Sequence, residues 1–98
     1  MAAPKLLVNI TLTNGEKETE YRDLRLIMSD MGRWDILRSR KDWPKQEEAP
    51  ALWMQVVSYY ALIRTGEIPT ETNIDTFLST VVSVDPVDDV EAAEFPAE

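Results

Sequence analysis

Arg33, Arg38, Arg40 and Lys41 fall within nine residues, with Trp34 and Asp35 among them and Trp43 just beyond. A helix carrying those cations could neutralise phosphate with its guanidinium and ammonium groups and stack bases on the two indoles. The alternative turns Trp34 inward and leaves the cations as a solvated outer face that guides a partner electrostatically. Asp30, Asp35 and Asp42 break up the basic field. Nucleic acid recognition normally leaves an uninterrupted basic footprint, so nucleic acid is not expected as a partner.

Other chemistries are constrained by what the 98 residues lack. There is no His and no Cys, which removes the usual neutral-pH general base, the thiol nucleophile and the soft metal ligand. Carboxylates, Lys and Ser can catalyse, but only in a pocket that shifts their pKa values, and a chain this short has little room for both a core and a deep cleft. Asp85, Asp88, Asp89 and Glu91 are closely spaced, yet they lack the glycine-containing loop and ligand rhythm of a calcium site. No enzymatic activity, metal or cofactor is therefore expected.

Charge is distributed unevenly. Seven of the ten basic residues lie between Arg22 and Lys45, whereas six acids and no base lie from Asp85 onward. Of the net charge of −8, that acidic stretch carries −6 and residues 1 to 84 carry −2. Residues 85 to 98 are expected to be a flexible acidic tail, acting either as a solubilising segment or as a strap that pairs with basic surface. Residues 1 to 84 are expected to form one small domain. The absence of a disulfide staple suits a reducing compartment, and no stretch has signal or membrane-spanning character. A cytoplasmic protein without membrane contact is expected.

The elements that would position these residues follow from periodicity. Leu6, Val8, Ile10 and Leu12 alternate with Leu7, Asn9, Thr11 and Thr13, and Asn14-Gly15 suits a type I′ turn, which predicts a hairpin over residues 5 to 21. In that register Leu12 faces Lys17, Ile10 faces Thr19 and Val8 faces Tyr21. Leu24, Leu26 and Met28 could extend the second strand, while Leu24, Ile27, Met28 and Met31 have helical spacing. Extended chain up to Ser29 or Asp30, either of which can serve as N-cap, is the preferred reading.

A first helix over about 30 to 42 would bury Met31, Trp34 and Leu37. It would expose Arg33 and Arg40, with Ile36 beside them as a contact, and end at Trp43-Pro44. Asp35 and Arg38 are spaced for a surface ion pair. A second helix is predicted over about 50 to 65, starting at Pro50 and stopping at Gly66. Only Gln55 and Ser58 interrupt its apolar run between Leu52 and Ile63, so it must be central or shared with another chain. Ile74, Phe77, Leu78, Val81 and Val82 form one apolar stripe, which predicts a third helix over 72 to 83. The fold class expected is α+β: an N-terminal hairpin, three helices and the acidic tail.

Trp53, Tyr59 and Tyr60 could be interface hot spots or the centre of an ordinary core. Helical geometry puts Trp53, Val56, Val57 and Tyr60 on one face and Tyr59 and Leu62 elsewhere. The second pair is the expected contact surface. The full contact set expected is Trp53, Tyr59, Leu62 and Phe77, with Arg33, Arg38, Arg40 and Lys41 as electrostatic guides.

The ordered series of motifs resembles a known family. The hairpin with Asn14-Gly15, then Arg33-Trp34-Asp35, Arg38-Ser39-Arg40-Lys41-Asp42-Trp43-Pro44, Ala49-Pro50-Ala51-Leu52-Trp53, and the run from Tyr60-Ala61-Leu62 to Ile68-Pro69 are similar to the small tail assembly chaperones of long-tailed phages and prophages of actinobacteria. The resemblance spans roughly residues 5 to 84 together with the acidic end. It implies a non-enzymatic, mostly helical and oligomerising protein of the host cytoplasm. Its implied partners are the helical tape measure protein, which it coats, and tail tube subunits, which it helps recruit. Two other readings remain open at this level: a structural head-to-tail connector or minor tail protein of the virion, and an acidic inhibitor that imitates nucleic acid.

Overall fold

The computed structural model describes residues 6–87. They form β1 (Leu6–Thr13), β2 (Glu18–Leu26), α1 (Met28–Lys41), α2 (Pro50–Arg64), α3 (Ile74–Leu78) and β3 (Val81–Pro86). The strands make one antiparallel sheet in the order β2-β1-β3. The class is α+β, as the sequence predicts. The helices cover the sheet face carrying Val8, Ile10, Leu24 and Leu26, all buried. No helix among the described residues is long and apolar enough to cross a membrane.

The hairpin forms, with a wider turn and a different register. Thr13 pairs with Glu18 and Leu12 with Thr19, leaving Asn14 to Lys17 as a four-residue loop in place of the expected two-residue turn. The Asn14 side chain explains the difference, because its Oδ1 accepts from the N–H groups of both Glu16 and Lys17 at 2.9 Å. This local bonding offers the backbone an alternative to the tighter turn. Gly15 supplies the positive φ of 97° that the loop requires. The shift is by two residues, so inward and outward faces are preserved. Ile10 now faces Tyr21.

A bulge resets that alternation further along β2. Asp23 adopts φ 56° and its N–H donates to Asn9 Oδ1 at 2.9 Å. Val8 consequently faces Leu24, not Tyr21, and Leu6 faces Leu26. Without the extra residue, Asp23 and Arg25 would follow Tyr21 onto the core face; with it, Leu24 and Leu26 do. Asp23→Val is expected to lower stability by about 1–2 kcal/mol and Asp23→Gly to leave it nearly unchanged in urea melts, because only the first places a β-branched residue in the left-handed region.

Helix α1 starts two residues ahead of the expected position. Ile27 occupies the N-cap position and Asp30 lies at the third helical position, where its Oδ2 accepts from the Ile27 N–H at 3.1 Å. Asp30 therefore caps from inside the helix. Trp34 is buried and stacks against Trp43, with ring centroids 6.3 Å apart. The helix ends as Asp42 turns left-handed and the Trp43 N–H donates to Arg38 O at 2.9 Å.

Helix α2 has the predicted limits to within a residue, and it is central. Val56, Val57, Ser58, Tyr59, Ala61 and Leu62 are all buried, beneath α1, α3 and the flanking strands. The fold itself thus fully buries half of the apolar run that the sequence leaves central or shared, and partly covers Leu52, Trp53, Met54, Tyr60 and Ile63. Ser58 Oγ is buried without a hydrogen-bond partner among the described residues. Ser58→Ala is expected to raise stability by about 1 kcal/mol in thermal or urea melts, since it removes an unpaired hydroxyl from the core.

The third predicted helix is corrected most. Asn73 caps a five-residue α3, its Oδ1 accepting from the Thr76 N–H at 3.1 Å. After Ser79 and Thr80 the chain becomes strand β3. Ile74 and Phe77 are buried as the helical stripe requires, but Val81 and Val84 reach the core from the sheet. The β-branched run from Val81 to Val84 favours a pleated surface, and pairing with β1 rewards that choice. Asp85 and Pro86 also belong to the sheet, so the folded body extends past residue 84. The Val87 N–H donates to Leu7 O at 2.9 Å, which places the Pro86 nitrogen on the open edge, where no donor is needed. Residues 88 to 98, the rest of the expected acidic tail, lie outside the described residues.

Candidate interaction surface

One face of the helical layer combines exposed apolar surface with unpaired charge. On α1, Arg33, Ile36, Leu37 and Arg40 recur at helical spacing along one side, while Trp34 anchors the other side in the core. Tyr60 of α2 rises beside them, and the five residues line a shallow groove of about 290 Å³. Ile36 is 59% exposed, which agrees with its expected outward position. A second depression, lined by Ser29, Ile63 and Thr70 among others, shares Arg33 and Tyr60 with the first. The two make one elongated track between α1 and α2.

Tyr60 is fixed by its neighbours. Its ring meets Tyr59 edge to face at 4.9 Å between centroids, and the Arg33 guanidinium lies 5.6 Å from its centroid. Such cation–π contacts hold an arginine over an aromatic face while leaving N–H donors free for a ligand. Burial pushes the Tyr60 phenol above its ordinary value of 10.0, while Arg33 and Arg40 pull the other way. Both arginines line the groove with Tyr60. Neither has a carboxylate within ion-pair distance among the described residues.

The four cations expected to act as guides thus separate into two pairs. Arg38 is committed to structure, its Nε donating to the carbonyls of Trp43 and Pro44 at 3.3 Å each. It forms no ion pair with Asp35, contrary to expectation, because these carbonyls at the helix exit draw its side chain away. Lys41 pairs with Asp75 at 3.1 Å and lies 5.4 Å from the Trp43 ring centroid. Of the four, only Arg33 and Arg40 are unpaired among the described residues.

The expected apolar contacts are corrected more sharply. Tyr59, Leu62 and Phe77 are buried in the core, so they form no contact surface in this fold. Tyr59 and Phe77 pack edge to face, with centroids 5.1 Å apart, and the Tyr59 hydroxyl donates to Thr72 O. The helical wheel placed Tyr59 and Leu62 off the Trp53 face correctly. What it could not show is that α3 and the sheet cover that side. Trp53 is half-buried against the same core. With Trp34 buried and Trp43 stacked on it, no pair of free indoles remains for bases to stack upon.

Two features escape sequence reasoning. Tyr60 was assigned to an inward face, yet it sits at the seam with α1. Buried Asp30 and partly exposed Arg64 form an ion pair 34 residues apart in sequence, with Arg64 Nε and Nη2 reaching the two carboxylate oxygens at 3.2 and 3.0 Å. Arg64 Nη2 also donates to Arg25 O at 2.7 Å, tying β2, α1 and α2 together, and the pair lines the second depression. No local spacing announces a pair so distant. Among the described residues no three His, Cys, Asp or Glu side chains converge on a point where a metal ion could be held.

Compared with protein-family models, curated proteins and solved structures, the chain matches none.

Proposed function

We propose that this chain is a tail assembly chaperone of a long-tailed phage or prophage, binding the tape measure protein and assisting assembly of the tail tube without catalysis. Two things support the reading: the motif resemblance over roughly residues 5 to 84, and the unpaired face built from Arg33, Ile36, Arg40 and Tyr60. The second carries most weight. A chaperone for an elongated helical client needs a surface that binds apolar residues reversibly. Exposed Ile36 and the Tyr60 ring provide such a surface, and the two arginines provide electrostatic attraction that speeds encounter.

Binding is thereby reassigned from the second and third helices to the seam of α1 and α2. Co-expression with a tape measure protein from the same phage genome should keep that client soluble and co-purify it, and the chain should be missing from finished particles. Ile36→Asp, which changes an exposed position, should abolish co-purification without altering the melting temperature. A client that aggregates equally with and without the chain would contradict the proposal.

A further inference from the structure

Resting on the reading of this face as the client site, we propose that the groove takes an acidic amphipathic helix whose carboxylates recur seven residues apart around an apolar residue. The spacing comes from α1 itself. Arg33 and Arg40 are seven residues apart, which is about 10 Å along the helix axis. A second helix laid along the groove presents side chains seven apart at the same distance, on one face. Two glutamates at that spacing meet both guanidiniums, and an apolar residue midway falls on Ile36, Leu37 and the Tyr60 ring.

Three observations favour this occupant. The arginines have no carboxylate partner among the described residues, so a ligand carboxylate gains two unclaimed cations. Arg33 is steadied over Tyr60, which reduces the ordering cost when a ligand arrives. The groove also continues past Arg33 toward Ser29 and Thr70, where the lining Asp30 carboxylate is already neutralised by Arg64, giving a track about 16 Å long on α1 from Arg40 to Ser29, enough for roughly three turns of helix. A basic or neutral helix would find no matching charge here. A nucleic acid strand, with a phosphate at every nucleotide, would find only two arginines and a single half-buried ring in the groove.

The test uses a labelled, helix-favouring peptide with two glutamates seven residues apart and leucine between them, titrated with the full chain and followed by fluorescence anisotropy. Binding should weaken about tenfold or more when the glutamates become glutamines, and similarly in the Arg33→Glu/Arg40→Glu variant. A charge-reversed peptide carrying arginines should recover binding to that variant, which a merely unfolded protein cannot do. Circular dichroism should show the variant folded, since both side chains are exposed.

Equal binding of the glutamine peptide, failure of the charge-reversed peptide to recover binding, or tighter binding of single-stranded DNA would overturn the proposal. So would a tenfold gain in peptide affinity on removing residues 88 to 98, because the groove would then belong to the chain's own acidic end. The two levels separate cleanly. If the Arg33→Glu/Arg40→Glu variant still captures the tape measure protein, the groove assignment fails and the chaperone reading stands. If the peptide binds as described but no tail protein is captured, the reverse holds.

Discussion

Arg64→Ala is expected to destabilise the fold by about 3 kcal/mol, moving the urea midpoint with little change in slope. The Asp30 carboxylate is only 2% exposed, and Arg64 reaches both its oxygens. Removing the guanidinium leaves an ionised group in the interior with the Ile27 N–H as its one remaining donor. It also frees the Arg25 carbonyl. About a third of the Arg64 side chain meets solvent, so water can partly replace it, which puts the expected cost at the lower end for broken buried pairs. Adding Asp30→Asn to Arg64→Ala should cost clearly less than the two changes summed, because the uncompensated charge disappears with it.

Replacing Tyr59 and Leu62 together with alanine should unfold the protein. Leu62 is fully buried, and Tyr59 packs against Tyr60 and Phe77 while its hydroxyl donates to the Thr72 carbonyl. Truncating a buried leucine costs about 2–5 kcal/mol and a buried aromatic about 3–5. The sum of about 5–10 kcal/mol equals the entire stability expected of a domain this size. Circular dichroism of the double variant should show a largely unfolded chain at 25 °C. A folded double variant that had merely lost client binding would restore these residues to the contact surface and contradict their place in the core. Any loss of client capture in this variant therefore reports on folding, whereas Ile36→Asp reports on the surface.

The contrast between those positions shows which parts of the molecule are legible in the chain. Elements with strong local signals emerge from the residues: the alternation of β1, and the Pro50 start and Gly66 stop of α2. So does the inward course of Trp34 with Arg33, Ile36 and Arg40 left outside, because a helix fixes the relative direction of its own side chains. Features decided by pairing at a distance do not emerge. The valines after Phe77 satisfy a helical stripe and a strand equally well, and only the open edge of β1 decides between them. The same holds for Asp23, whose bulge is specified by Asn9 across the sheet, and for the pairing of Asp30 with Arg64. The proposed surface is half legible. Arg33, Ile36 and Arg40 lie outward on α1 as expected, but Arg38 and Lys41 are engaged within the fold, and Tyr59, Leu62 and Phe77 are covered while Tyr60 is not.

Hydrogen–deuterium exchange of the full chain, free and bound to the tape measure protein, tests the assignment most directly. Slowed exchange along residues 33 to 40 of α1 and around Tyr60, with the free edge of β3 unchanged, is the predicted result. Slowed exchange confined to the edges of the sheet, with α1 unaffected, would contradict it.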